Sequence, residues 1–290
     1  MNKTKKESLF YFCLLIPAMA LFVTFFIIPV IQSFWLSFTD SYGMKSTYDF
    51  VGFTNYKEAF ADSSFTKTIK NTLYYTLIAV IPGNILSIML AFFLDSKMRG
   101  KSIYRTLFFI PNIMSLLVVG YIWCFVYTKV LPEVSNMLTG HSTAILGNKQ
   151  LVIPALAIVG IWNAAGYYMV IYIAALQGIS EDLIEAARID GASTFKIIRY
   201  IKLPMLTPTI MTCLILSVAA HMKVFELPYT MTSGGPVGAS STMVYKIYTT
   251  AFNADRNGYA STQSIILFVI IAAISFILNY IMKKKEGRLS

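Results

Sequence analysis

From Ser8 to Thr39, from Leu151 to Ile179 and from Met205 to Met222 the chain carries no Asp, Glu, Lys or Arg. Runs of this kind match what a helix needs to cross the ~30 Å hydrocarbon layer of a bilayer. Inside that layer every backbone N–H and C=O must be bonded within the segment, which leaves helices as the form for single spans. The remaining composition agrees: 56% hydrophobic residues, 13% charged residues and a mean hydropathy of +0.63 exceed what a water-soluble core requires. Spans are expected at about 9–38, 72–94, 106–127, 151–175, 205–225 and 264–282. No internal repeat and no Pro-, Gly- or Ser-rich linker divides the chain. The expectation is therefore an all-α membrane protein with one transmembrane domain over 1–290.

The basic residues orient those spans. Lys3, Lys5 and Lys6, then Lys97, Arg99, Lys101 and Arg105, then Arg188, Lys196, Arg199 and Lys202, then Lys283, Lys284, Lys285 and Arg288 all fall on one side. The loops on the other side are longer and hold fewer, so both termini are expected in the cytosol. The net charge of +10 needs no nucleic-acid partner, because most cations flank crossings where anionic lipid attracts them. A basic start before an apolar run also describes a signal peptide, yet the run to Thr39 is far longer than a signal core. Pro17 or Pro29 is expected to kink this first helix. Cys13, Cys124 and Cys213 lie in apolar spans without CxxC spacing, which points away from disulfides and metals. No GxxxxGK[ST], HExxH or GxSxG is present, and His141 and His221 stand far apart. No catalytic residue, metal or cofactor is expected on this chain.

Ser180 to Pro204 is the polar interruption between two charge-free runs. Ser180 can cap a helix with Glu181 and Asp182 in its first turn, running to about Asp190. Gly191 then permits a sharp turn, and Ser193 or Thr194 caps a second short helix through Lys202, ended by Leu203-Pro204. Glu185-Ala186-Ala187, Asp190-Gly191-Ala192 and Leu203-Pro204 together resemble the EAA loop of permease subunits in bacterial ATP-binding cassette importers. The resemblance implies the type I importer permease fold. It also implies that Glu185, Ala186, Ala187, Asp190, Gly191, Ala192 and Pro204 form the contact with an ATPase subunit, where small side chains let a helix sit deep in a groove. ATP would then be bound by that partner. A second, related permease and a solute-binding protein outside the membrane complete the implied complex, in a bacterial inner or cytoplasmic membrane.

Two external loops narrow the branch. Phe50 to Tyr56 followed by Lys70-Asn71-Thr72-Leu73 is similar to a loop of sugar-importer permeases, with Gly52 and Asn55 as turn formers and Phe50, Phe53 and Tyr56 either anchoring at the interface or meeting a partner. Met231 to Pro236, then Tyr248 to Phe252 and Gly258-Tyr259-Ala260, resembles the permeases of maltose, lactose and glycerol-phosphate importers. Val244 to Phe252 is compatible with a strand or a short helix. The loop from Thr128 to Gln150 holds only turn formers, and Asp95 to Arg105 reads as a short basic turn without chemistry. Pro111-Asn112 interrupts the third span, and Asn112 either lines a pathway or bonds a neighbouring helix.

In the family, residues of the fourth and fifth spans line the sugar site, which implicates Asn163, Tyr167, His221, Lys223 and Glu226. Tyr167 and Tyr168 are expected on different sides of their helix, so at most one of them should face a path. Lys223 and Glu226 either pair at i+3 or stand free; a free Lys223 would favour an anionic sugar and a paired one a neutral sugar. An ion-coupled secondary transporter or a non-transporting scaffold are the rival readings. The first would place more acidic residues within spans.

Overall fold

The computed structural model describes residues 3–43, 47–96 and 99–286. Lys45, Lys97 and Arg288 lie outside the described residues, as does the side chain of Cys13. Among the described residues five helices are long and apolar enough to cross a membrane: Leu14–Leu36, Ser63–Asp95, Leu116–Thr139, Val152–Gln177 and Asn257–Met282. A sixth crossing is made if Thr194–Met205 and Thr207–His221, bent by 62° at one residue, count as a single broken span. The chain clusters into two compact units, one comprising residues up to Ser63 with Ile247–Phe268, the other Ser64–Lys246 with residues from Val269.

In the first unit α1 (Lys3–Phe22) runs through a π-helical turn, Val23–Ile27, into α2 (Ile28–Leu36). Pro17 lies within α1. None of the apolar core of this span is buried within the chain. After α2 an isolated antiparallel bridge joins Thr39 to Phe50. α3 (Thr54–Ala61) then sets Asn55 beneath this bend. Asn55 is not a turn residue: it is buried, and its amide donates to the carbonyls of Ser37 at 3.1 Å and Thr39 at 2.8 Å. Arg256 binds Glu58 bidentately at 2.7 and 2.6 Å and lies 4.4 Å over the Tyr259 ring, whose hydroxyl meets Asp62 at 3.1 Å. Those bonds, donated to Glu58, hold the Arg256 pKa above its ordinary value. Asn55→Ala strips the buried Thr39 carbonyl of its side-chain donor and leaves the Ser37 carbonyl with Thr262 Oγ1 alone at 2.9 Å, and is expected to cost about 1–3 kcal/mol. Glu58→Ala removes a half-exposed pair and is expected to cost about 1 kcal/mol or less. Thermal unfolding of the detergent-solubilised protein would rank the two variants.

The second unit is built around α8 (Val152–Gln177), whose apolar window is 56% buried. Before it come α4 (Ser63–Asp95), α5 (Lys101–Ile113), α6 (Leu116–Phe125), a π-helical turn at Val126–Val130, and α7 (Leu131–Thr139). After it come α9 (Glu181–Ile189), α10 (Thr194–Ile197), a π-helical turn at Ile198–Lys202, α11 (Leu203–Met205), α12 (Thr207–His221) and α13 (Glu226–Thr232). α14 (Met243–Tyr248) leads out of this unit; the π-helical turn at Thr249–Asn253 and the start of α15 (Asn257–Glu286) belong to the first unit, and α15 from Val269 to the second. Tyr172 on α8 donates to Asn84 Oδ1 on α4 at 2.8 Å, and Ser87 donates to the Ala165 carbonyl at 3.0 Å. Such bonds tie helices where apolar burial gives no preference for protein over lipid.

The third expected span, 106–127, proves discontinuous. Pro111 stays inside α5, and the break falls at Met114 and Ser115, both extended at ψ 140° and 131°. The crossing then continues past Tyr127 to Thr139, through residues expected to be loop. Three π-helical turns account for this and for one further departure. Each of Val23–Ile27, Val126–Val130 and Ile198–Lys202 ends two residues before a proline, at Pro29, Pro132 and Pro204. Proline offers no N–H to the preceding turn, and a wider turn re-registers the carbonyls so that the helix continues. Pro204 therefore does not stop its helix; the chain breaks at Leu206. Tyr248 to Phe252 is likewise helical.

Candidate functional site

Where α8 meets the end of α12, the second unit forms a partly open cavity of about 410 Å³. Its wall is supplied by Tyr75 of α4, Asn112 of α5, Leu116 of α6, Gly160, Asn163, Ala164, Tyr167 and Tyr168 of α8, Ala220 and His221 of α12, and Lys223, Val224 and Glu226 beyond it. All five residues expected on a solute path, Asn163, Tyr167, His221, Lys223 and Glu226, thus share one wall. The positions Asn163 and Tyr167 are four apart, so one helical face presents both. Tyr168 lies on the wall as well. The two rings meet edge to face at 5.1 Å, with Tyr168 buried and Tyr167 open.

Local bonding fixes what each group offers. Asn163 donates its amide to the Pro111 carbonyl at 2.6 Å, near the C-terminus of α5 where helical carbonyls lack partners, and keeps its own carbonyl oxygen. His221 Nδ1 sits 2.8 Å from the Ser217 carbonyl one turn back. A carbonyl only accepts, so Nδ1 carries the proton in the neutral ring and Nε2 is left as an acceptor. Gly160 makes room beside this ring: a Cβ there would overlap the Tyr75 hydroxyl and approach His221 Cδ2 to 3.8 Å. α12 ends at His221, so Lys223 and Glu226 stand on a turn and on the start of α13, where helical i+3 pairing fails. Among the described residues no ion pair joins them. The wall offers phenols, amides, an imidazole acceptor and one charge of each sign.

The polar stretch before Pro204 forms a separate surface. α9 ends in a left-handed Gly191 at φ +78°, with Gly191 N–H bonded to the Arg188 carbonyl at 3.0 Å and Ala192 N–H to the Ala187 carbonyl at 2.9 Å. This is the helix-ending pattern that glycine favours. Ser180 occupies the cap position of α9 without a side-chain bond, whereas Ser193 Oγ accepts from Lys196 N–H at 3.4 Å. Glu185, Ala186, Asp190 and Gly191 are exposed, Ala187 and Ala192 are half-buried, and Ile189 and Phe195 project at 86% and 73% exposure. Sequence reasoning missed Tyr75 and Gly160, which lie in apolar helices without a polar cluster to mark them. It also passed over Asp95, whose carboxylate pairs with Lys202 Nζ.

Residues 83–288 match the family model described as "Binding-protein-dependent transport system inner membrane component". The chain is 33% identical over 274 residues to the multiple sugar-binding transport system permease protein MsmF of Streptococcus mutans, covering 94% of each chain. It is 31% identical to the diacetylchitobiose uptake system permease protein NgcF of Streptomyces coelicolor, covering 96% of this chain and 84% of that one. With the sn-glycerol-3-phosphate transport system permease protein UgpA of Agrobacterium fabrum it shares 30% identity, over 91% of each. In fold it matches a chain of a bacterial ABC transporter that imports the acidic polysaccharide alginate, at a TM-score of 0.86 and 22% identity, covering 97% of this chain and 98% of that one. A multi-pass, all-helical protein, the chain belongs to the family of binding-protein-dependent transport system inner membrane components, the permease subunits of ABC importers.

Proposed function

We propose that this permease carries a sugar or oligosaccharide through the cavity at the α8 and α12 junction. The pathway is shared with a second permease and opened to each side in turn by ATPase subunits that bind the ATP. Convergence of Asn163, Tyr167, His221, Lys223 and Glu226 on one cavity wall supports this most directly. Aromatic faces, amides and an imidazole acceptor are the groups that recognise sugar rings and hydroxyls. Among the described residues Lys223 stands on the wall without an ion pair, the arrangement that favours an anionic sugar, and Glu226 on the same wall limits how much negative charge the cavity accepts. The names of MsmF and NgcF agree with a sugar or oligosaccharide as cargo. Ile189 and Phe195, exposed beside the small residues around Gly191, suit a helix seated in a groove of the ATPase. Both termini and this loop then lie in the cytosol, and a solute-binding protein docks outside, as a periplasmic protein does in the alginate importer complex.

The test is uptake of labelled maltotriose, diacetylchitobiose and sn-glycerol 3-phosphate by the complete complex in proteoliposomes. His221→Ala and Asn163→Ala are each expected to raise the half-saturating concentration of the transported sugar about 10-fold, the scale of one lost buried hydrogen bond. Stimulation of ATPase activity by the binding protein should survive. Unchanged concentration dependence in both variants would remove the cavity from the solute path.

A further inference from the structure

α4 touches three regions that the transport reading treats separately. At its first turns Lys67 Nζ donates to the Val237 carbonyl at 2.8 Å, and Asn71 donates to the carbonyls of Gly238 and Ser241 at 3.0 and 2.9 Å. Its middle carries Tyr75 on the cavity wall and is tied to α8 through Asn84 and Ser87. At its last residue Asp95 pairs with Lys202, the final residue of the π-helical turn leading from the Gly191 loop into α11. The two side chains are only 21% and 17% exposed. In an ion pair partly screened from water, loss of one member leaves the other charge uncompensated. Lys202 also ends a wider π-helical turn, so displacement of the Gly191 loop reaches the chain where the helix already departs from α geometry.

We infer that Asp95 and Lys202 form a coupling latch, by which α4 links movement of the ATPase-facing loop to the cavity and to the 237–241 loop at the opposite end of the helix. The two are positioning residues, neither touching solute nor ATP. The inference rests on the assignment of the Gly191 loop as the ATPase contact. Cutting the latch should leave the complex assembled, with unstimulated ATP hydrolysis near normal. Signal transfer along α4 should fall.

The measurement is ATPase turnover of the full complex in nanodiscs, with and without the sugar-loaded binding protein, together with maltotriose imported per ATP in proteoliposomes. Asp95→Asn and Lys202→Met are each expected to lower the stimulation factor about 10-fold, within the usual range of coupling between sites. The double variant should be no worse than either single one, because both remove the same interaction. Lys202→Arg should retain coupling. Additive losses, or stimulation unchanged in both single variants, would overturn the latch, as would failure of every charge-removing variant to assemble, which would make the pair an assembly contact. Gly191→Pro run in parallel separates the two ideas. If it uncouples while the latch variants do not, only the latch is wrong; if it remains fully coupled, the loop assignment itself fails.

Discussion

Gly191→Pro is expected to reduce sugar uptake at least about 10-fold while ATP hydrolysis continues or the ATPase subunits fail to bind. Gly191 stands at φ +78°, and proline is held near −65°. The substitution also removes the N–H that bonds the Arg188 carbonyl, and misdirects the Ala192 N–H from Ala187. Both closing bonds of α9 are then lost, and the helix meant for the ATPase groove leaves at a different angle. No atom lies within 4 Å of a Cβ built at this position, so any defect in smaller variants comes from the backbone alone. That sets an order. Gly191→Asn should be mild, since asparagine tolerates the left-handed region, and Gly191→Ala should lose about 1–2 kcal/mol of loop stability. Uptake per ATP in proteoliposomes gives the ranking, and a proline variant as active as the parent would remove this loop from coupling.

Gly166→Ala is expected to sharply reduce the yield of folded complex. At Gly166 α8 passes so close to α5 that a Cβ would overlap the Phe108 carbonyl and stand 2.8 Å from Phe109 Cα. Backbone atoms cannot rotate aside as a side chain can, so the helices must separate. Overpacking of this kind costs about 1–3 kcal/mol, and more where only backbone can yield. Separation also pulls Asn163 from the Pro111 carbonyl and opens the cavity between Asn112 and Tyr167. Gly160→Ala is the informative contrast. Its Cβ meets the hydroxyl end of the Tyr75 side chain, which can shift, so that variant should fold and change the concentration dependence of uptake instead. Monodisperse yield after detergent extraction and the midpoint of thermal unfolding distinguish the two. A Gly166→Ala protein of parental yield and stability would contradict the close approach.

Charge-free length and the distribution of cations were enough to establish an all-helical membrane chain and where its polar interruption lies. Those properties follow from transfer of single residues between water and lipid, which each residue carries with it. The turn at Gly191 was equally legible, because left-handed backbone is a local demand that glycine answers. Asn163, Tyr167, His221, Lys223 and Glu226 could be singled out as polar or aromatic residues of two spans. Only packing decided that they share a wall, and that Tyr168 shares it too. Proline misled the sequence reading for a definable reason. Its missing N–H predicts a stop at Pro204 and a loop at Pro132, yet a wider turn just before each one re-registers the carbonyls so that the helix continues. Asp95 and Lys202 lie more than a hundred residues apart and are unremarkable in their own segments. Their pairing exists because α4 and the segment entering α11 end side by side, a juxtaposition that no local propensity encodes and that tertiary packing alone created.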